Sequence, residues 1–155
     1  QILFGVSFAD VDTGTVVGNG GTILRTTNGG ATWAGQTSGT TRTLSSVTFT
    51  DADTGTAVGG SGTILRTTDG GATWASQASG TGYALEAVSF ANASAGTAVG
   101  VDGTILRTID GGSTWVGQAS MTEYVLTGVA FTDAGTGTVV GEYGTILRAT
   151  SGGAR

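Results

Sequence analysis

Hydrophobic positions in this chain alternate over short runs that are cut by Gly- and Asp-containing segments. Leu44–Thr50 reads LSSVTFT, with Val47 and Phe49 on one face and Thr48 on the other. The polar stretch Asp51–Gly55 follows, then a short apolar piece at Thr56–Gly59. Gly60–Gly62 forms a tight turn, Thr63–Thr67 (TILRT) a third extended run, Asp69–Gly71 another turn, and Thr73–Ser76 (TWAS) a fourth run. β-Branched and aromatic residues punctuated by Gly and Asp predict four strands joined by hairpins. No window holds helical spacing over the ~10 residues that a helix needs.

The pattern recurs with a fixed period. Gly-Thr-Ile-Leu-Arg ends at Arg25, Arg66, Arg107 and Arg148, each 41 residues after the last. Trp33, Trp74 and Trp115 keep that spacing, as do Phe8, Phe49, Phe90 and Phe131. Four short strands in about 41 residues match one propeller blade, and leucine-rich repeats are shorter. The expectation is therefore an all-β chain, a β-propeller of four-stranded antiparallel blades. Its repeats span 1–41, 42–82, 83–123 and an incomplete 124–155. Four full repeats need 164 residues and the chain has 155, so the fourth blade is expected to lack its outer strand. An exposed blade edge invites pairing. The chain is thus expected to be either a homo-oligomer or a fragment of a larger propeller, and not a stable four-bladed monomer.

Thr67-Thr-Asp69-Gly-Gly71-Ala-Thr73-Trp74 resembles the Asp-box hairpin of bacterial neuraminidase repeats. Thr108–Trp115 matches it with Asp110, and Thr26–Trp33 matches with Asn28 in the Asp place. The fourth copy departs from the motif, with Ser151 in that place. The whole unit resembles the propellers of the photosystem II stability and assembly factor family. That resemblance implies a non-enzymatic scaffold or protein-interaction module. The motif residues Asn28, Trp33, Asp69, Trp74, Asp110 and Trp115 are read as structural. Gly supplies positive φ, the Asp or Asn side chain accepts backbone N–H groups, and the Trp adds apolar area.

Comparing the copies with one another separates blade-building positions from variable ones. The differences gather in the link from fourth to first strand and in the turn between second and third strands. In an up-down blade both emerge on one face of the disc. That face holds Arg42, Tyr83, Glu86, Asp102, Met121, Glu123, Tyr124, Glu142 and Tyr143. Loops on a rigid scaffold are where binding usually sits, and Tyr offers apolar area plus a hydroxyl. This face is the candidate binding surface, and its expected partner is a protein or peptide.

Composition narrows the chemistry. The chain has no His, Cys, Pro or Lys, and all six basic residues are Arg. Imidazole bases, thiol nucleophiles, zinc clusters and Schiff-base lysines are thereby removed. A net charge of −5 argues against a nucleic-acid partner. No apolar run approaches the ~18 residues of a membrane helix, so no membrane insertion is expected. A sialidase arginine cluster cannot be assembled, because four Arg belong to the repeat and Arg155 is terminal. Asp10, Asp12, Asp51, Asp53 and Asp133 lack the closing ligand of a calcium loop and are read as turn caps. No cofactor, metal or catalytic residue is expected. The alternative reading is a carbohydrate-binding or surface-adhesion module. A third, a glycoside hydrolase, would rest on Glu86, Glu123 and Glu142, with no spacing that singles out a pair. The Lys-free, acidic, Gly- and Thr-rich composition favours an extracytoplasmic protein.

Overall fold

The computed structural model describes residues 1–150 and 153–154. They form four antiparallel four-stranded sheets, one per repeat. The first contains β1 (Leu3–Phe8), β2 (Gly14–Gly18), β3 (Ile23–Thr26) and β4 (Ala34–Gln36). The second contains β5 (Leu44–Phe49), β6 (Gly55–Gly59), β7 (Thr63–Thr67) and β8 (Ala75–Gln77). The third contains β9 (Leu85–Phe90), β10 (Gly96–Gly100), β11 (Ile105–Thr108) and β12 (Val116–Gln118). The fourth contains β13 (Leu126–Asp133), β14 (Thr136–Gly141), β15 (Ile146–Thr150) and β16 (Gly153–Ala154). Strand order within every sheet follows the chain, which is the up-down order of a propeller blade.

Two details differ from the sequence-based expectation. The outer strand of a blade starts at Ala75 rather than Thr73. Thr73 is held back by Asp69, whose carboxylate accepts its backbone N–H at 2.9 Å and its hydroxyl at 2.6 Å. In the fourth blade a two-residue strand pairs Ala149 with Ala154 and Thr150 with Gly153. The corresponding positions of the second blade, Gly71 and Ala72, belong to the turn before the outer strand. The edge of the fourth blade thus carries a stub in a different register, and the three-residue outer strand of the other blades is not among the described residues. Ser151, the counterpart of Asp69, lies outside the described residues.

The core lies between sheets rather than within them. Val17 and Ile23 of the first blade pack with Leu44, Val47, Ala57 and Leu65 of the second. Val58 and Ile64 of the second pack with Leu85, Val88, Ala98 and Leu106 of the third. Val99 and Ile105 of the third pack with Leu126 and Val139 of the fourth. Strand alternation puts these two sets on opposite faces of each sheet, so every blade has an apolar face toward each neighbour. The repeated Arg reaches across the same joint. Arg66 donates its Nε–H to the Gly111 carbonyl at 2.7 Å, and Arg107 donates Nη2–H to the Ala134 carbonyl at 2.6 Å.

Each of the first three blades carries an aromatic pair between its first strand and the start of its outer strand. Phe8–Trp33, Phe49–Trp74 and Phe90–Trp115 meet edge to face with centroids 6.3, 6.1 and 6.0 Å apart. Such pairs add about 0.5–1.5 kcal/mol beyond their buried area. The Phe ring lies flat over a glycine of the second strand: a Cβ at Gly55 would sit 2.7 Å from the Phe49 ring.

Candidate functional site

The turns on one side of the blades are self-contained. Thr67 donates its hydroxyl to Asp69 Oδ1 at 2.8 Å, and its oxygen accepts the Gly71 N–H at 2.8 Å. Asp110 holds Thr114 as Asp69 holds Thr73. Asn28 accepts the Thr32 N–H and donates to the Thr32 hydroxyl, both at 2.9 Å. Hydrogen bonds from the threonine hydroxyl and amide hold the Asp69 and Asp110 carboxyls down to about 2. Asp51 accepts the Asp53 and Thr54 N–H groups, and Asp10 accepts those of Asp12 and Thr13, so these carboxyls also lie below their usual value. Asn92 caps the third copy in the same way. The donor and acceptor capacity of these side chains is spent on their own loops. Among the described residues no group of three or more Asp or Glu could hold a metal ion.

The opposite side is built differently. In each blade the residue after the second strand donates its N–H to a carbonyl of the preceding link. The pairs are Asn19 to Ile2, Gly60 to Thr43, Val101 to Ala84 and Glu142 to Val125, at 2.8–2.9 Å. This bond ties the two variable segments of a blade together. It brings the register position of Arg42, Tyr83 and Tyr124 beside that of Ser61, Asp102 and Tyr143. In the third blade the Asp102 carboxylate beside the Tyr83 hydroxyl pushes the pKa of that hydroxyl up, and the charge of Glu123 adds to the shift. In the fourth blade the Tyr124 and Tyr143 rings meet at a tilt, with centroids 4.8 Å apart and planes inclined by 47°.

The turn tips carry unusual backbone. Ser61, Asp102 and Tyr143 occupy left-handed φ of +53 to +58°, where the first blade has Gly20. Met121 adopts φ +58° where the earlier links have Gly39 and Gly80. A non-glycine residue in this region costs on the order of 1–2 kcal/mol. Tyr143 and Met121 spend that cost while remaining 85 % and 90 % exposed.

The predicted face is therefore not one patch. Tyr83 with Asp102, and Tyr124 with Tyr143, form two adjacent pairs on the third and fourth blades, with Met121 and Glu123 in the link before Tyr124. Glu142 begins the turn that carries Tyr143. Arg42 is exposed on the second blade, where its N–H bonds Thr40. Glu86 stands apart from the tyrosines. It lines a depression with Phe4, Thr43, Ser45, Gly60 and Ala84, formed by the first strands of successive blades. Phe4 was not singled out by the sequence reading. Its signal is a large apolar residue at the register of Ser45, Glu86 and Thr127.

Comparison with known proteins agrees with this architecture. The family profile of the photosynthesis system II assembly factor YCF48 matches residues 1–74 and 36–117. No curated protein is significantly similar in sequence. A structure described as YCF48 bound to D1 peptide superposes with a TM-score of 0.78 at 24% identity, covering 97% of this chain and 50% of that one. YCF48 from Cyanidioschyzon merolae gives 0.77 at 23% identity, covering 98% and 54%. The GH74 xyloglucanase from Xanthomonas campestris gives 0.73 at 17% identity, covering 96% and 29%. At these identities the structures share the fold. The chain spans about half the length of the YCF48 chains that it matches.

Proposed function

Because the chain belongs to the photosynthesis system II assembly factor YCF48 family, we propose that it is a non-enzymatic interaction module that docks a protein or peptide segment on its Tyr/Glu face. The carrying observation is the Tyr124–Tyr143 pair, with ring centroids 4.8 Å apart and Tyr143 held on left-handed backbone. Exposed tyrosines are common anchors of a protein interface. A YCF48 relative has been solved with a D1 peptide, which supports a peptide as the class of ligand. Asp102, Glu123 and Glu142 give the face a negative field, so the peptide should present cationic side chains toward it. The repeated turns at Asn28, Asp69 and Asp110 are read as packing devices, since their polar atoms are internally paired.

The absence of His, Cys and Lys supports a binding role over a catalytic one. Residues 1–155 are read as one continuous propeller segment. Its Lys-free, Gly- and Thr-rich acidic composition supports a place outside the cytoplasm.

The test is titration of a fluorescent D1 peptide against the chain and against Tyr124→Ala and Tyr143→Ala. Saturable binding, weakened roughly tenfold or more by either change, is expected from loss of an interface anchor. Binding that ignores both changes removes the Tyr/Glu face from the reading. Absence of peptide binding together with retention on a glycan array replaces it with the carbohydrate-binding alternative.

A further inference from the structure

The innermost strand of every blade skips one residue at the same register. The pairing of β1 with β2 jumps between Leu3 and Gly5, and that of β5 with β6 between Leu44 and Ser46. Leu85 and Ala87 of β9 face consecutive residues of β10, and β13 jumps between Leu126 and Gly128. The residues left out of the ladder are Phe4, Ser45, Glu86 and Thr127. A β-bulge of this kind re-aims one side chain and is favoured beside functional sites.

Around the bulge the copies agree. Leu3, Leu44, Leu85 and Leu126 precede it, and Val6, Val47, Val88 and Val129 follow two residues after it. The position between is small in every copy: Gly5, Ser46, Ala87 and Gly128. Only the bulged position ranges over Phe, Ser, Glu and Thr. In the second and third blades the Leu and Val are buried in the joints. The bulged side chains take no part in that packing: Phe4 is 54 % exposed and Glu86 is half-buried. The fold thus holds out toward the propeller axis the one position of this strand at which side-chain chemistry changes from blade to blade.

Three of the bulges meet in one place. The strands β1, β5 and β9 lie side by side. Phe4, Ser45 and Glu86 line a depression of about 400 Å³ together with Thr43, Gly60 and Ala84. Thr43 and Ala84 belong to the links and Gly60 to the turn after β6, so the depression opens on the side that carries the tyrosines. All six residues belong to the first three blades, whose two mutual joints lie inside the chain, so the site does not depend on the outer faces of the first and fourth blades. At the lower end of the roughly 300–1,000 Å³ of ligand clefts, it has room for one long side chain.

The chemistry of the lining selects that side chain. Among the described residues no arginine nitrogen lies within 4.0 Å of a carboxylate, so the Glu86 charge has no ion-pair partner. Arg66 and Arg107 are spent on the carbonyls of Gly111 and Ala134, in turns on the opposite side. Phe4 offers an aromatic face in the same depression. A planar guanidinium stacks on an aromatic ring and meets a carboxylate through paired N–H donors, which an ammonium cannot do.

We propose that this axial depression is a binding site for an arginine side chain of a peptide partner, with Glu86 taking the charge and Phe4 the flat face of the guanidinium. The site is separate from the tyrosine pairs and stands whether or not they dock a peptide.

The experiment is a titration of the whole chain with N-acetyl-arginine methylamide, followed by NMR at the signals of Phe4, Ser45 and Glu86. Saturable shifts at these residues are expected. The citrulline analogue, which keeps the shape and lacks the charge, is expected to leave them unmoved, and this comparison needs no altered protein. Glu86→Gln should weaken arginine binding roughly tenfold, the scale of one hydrogen bond to a charged group. Phe4→Leu should weaken it about two- to fivefold, the scale of an exposed cation–π contact. Tyr124→Ala should leave it unchanged. Arginine shifts that persist while a D1 peptide fails to bind leave this site standing and count against the tyrosine reading alone. Absence of saturable shifts at Phe4, Ser45 and Glu86 overturns the proposal. Equal binding of citrulline, or arginine binding undiminished in folded Glu86→Gln, overturns it as well.

Discussion

Leu85 and Leu3 occupy the same register in two blades, yet one is wholly buried and the other is 47 % exposed. Truncating each to Ala measures what a blade interface is worth. Leu85 lies at 0 % exposure among Val58, Ile64, Val88, Ala98 and Leu106. Leu85→Ala removes its transfer energy and leaves a cavity walled by both blades, so a loss of about 3–5 kcal/mol is expected. Leu3 has half of its surface in water and a neighbour on one side only. Its truncation forfeits roughly half of the ~2–3 kcal/mol for burying a leucine and creates no closed cavity, giving about 1 kcal/mol. At roughly 2–4 °C per kcal/mol for a chain of this size, the two variants should differ in melting temperature by about 4–16 °C. The assay is thermal and urea unfolding at the lowest concentration that gives a signal, repeated at higher concentrations. A Leu3→Ala loss equal to that of Leu85→Ala at high dilution would refute the reasoning, because it would mean the leading face of the first blade is covered within a single chain.

Three further outcomes follow from the geometry. Gly59→Ala places a Cβ 2.0 Å from the Thr43 carbonyl oxygen and should cost ~1–3 kcal/mol or more in urea unfolding, whereas Gly35→Ala meets nothing within 4 Å and should be neutral or slightly stabilising. Met121→Gly removes a side chain from left-handed backbone at 90 % exposure and should raise stability by at most about 1 kcal/mol, the relief being offset by glycine's extra freedom when unfolded. The carboxyls of Asp69 and Asp110 are held at about 2, below the ordinary 3.8, so their contribution is present above pH 3.8 and is lost as pH falls toward 2. The double change Asp69→Asn with Asp110→Asn, which copies Asn28, should flatten acid unfolding across that window as followed by circular dichroism, and an unchanged acid limb would contradict the assignment.

The strands and turns were legible because their causes are local. Alternating Val, Phe and Thr, the glycines at the turns, and an Asp two residues after a Thr act within a few residues of chain, and the 41-residue period repeats them in register. The variable face was legible for the same reason, since strand direction alone decides which turns emerge together. The sequence could not show how that face is divided. Tyr83 with Asp102 and Tyr124 with Tyr143 are 19 residues apart in the chain and meet because a link carbonyl accepts the N–H of the following turn. Glu86 has the composition of that group, but strand pairing sends it to the depression beside Phe4.

Tertiary structure alone also decided which apolar residues become core. Leu3, Leu44, Leu85 and Leu126 are the same letter at the same phase of the repeat. Three are fully buried and one is not, because burial in a propeller comes from the neighbouring blade and not from the strand that carries the residue. Local sequence makes a blade, and only the presence or absence of the next blade makes its faces interior or surface.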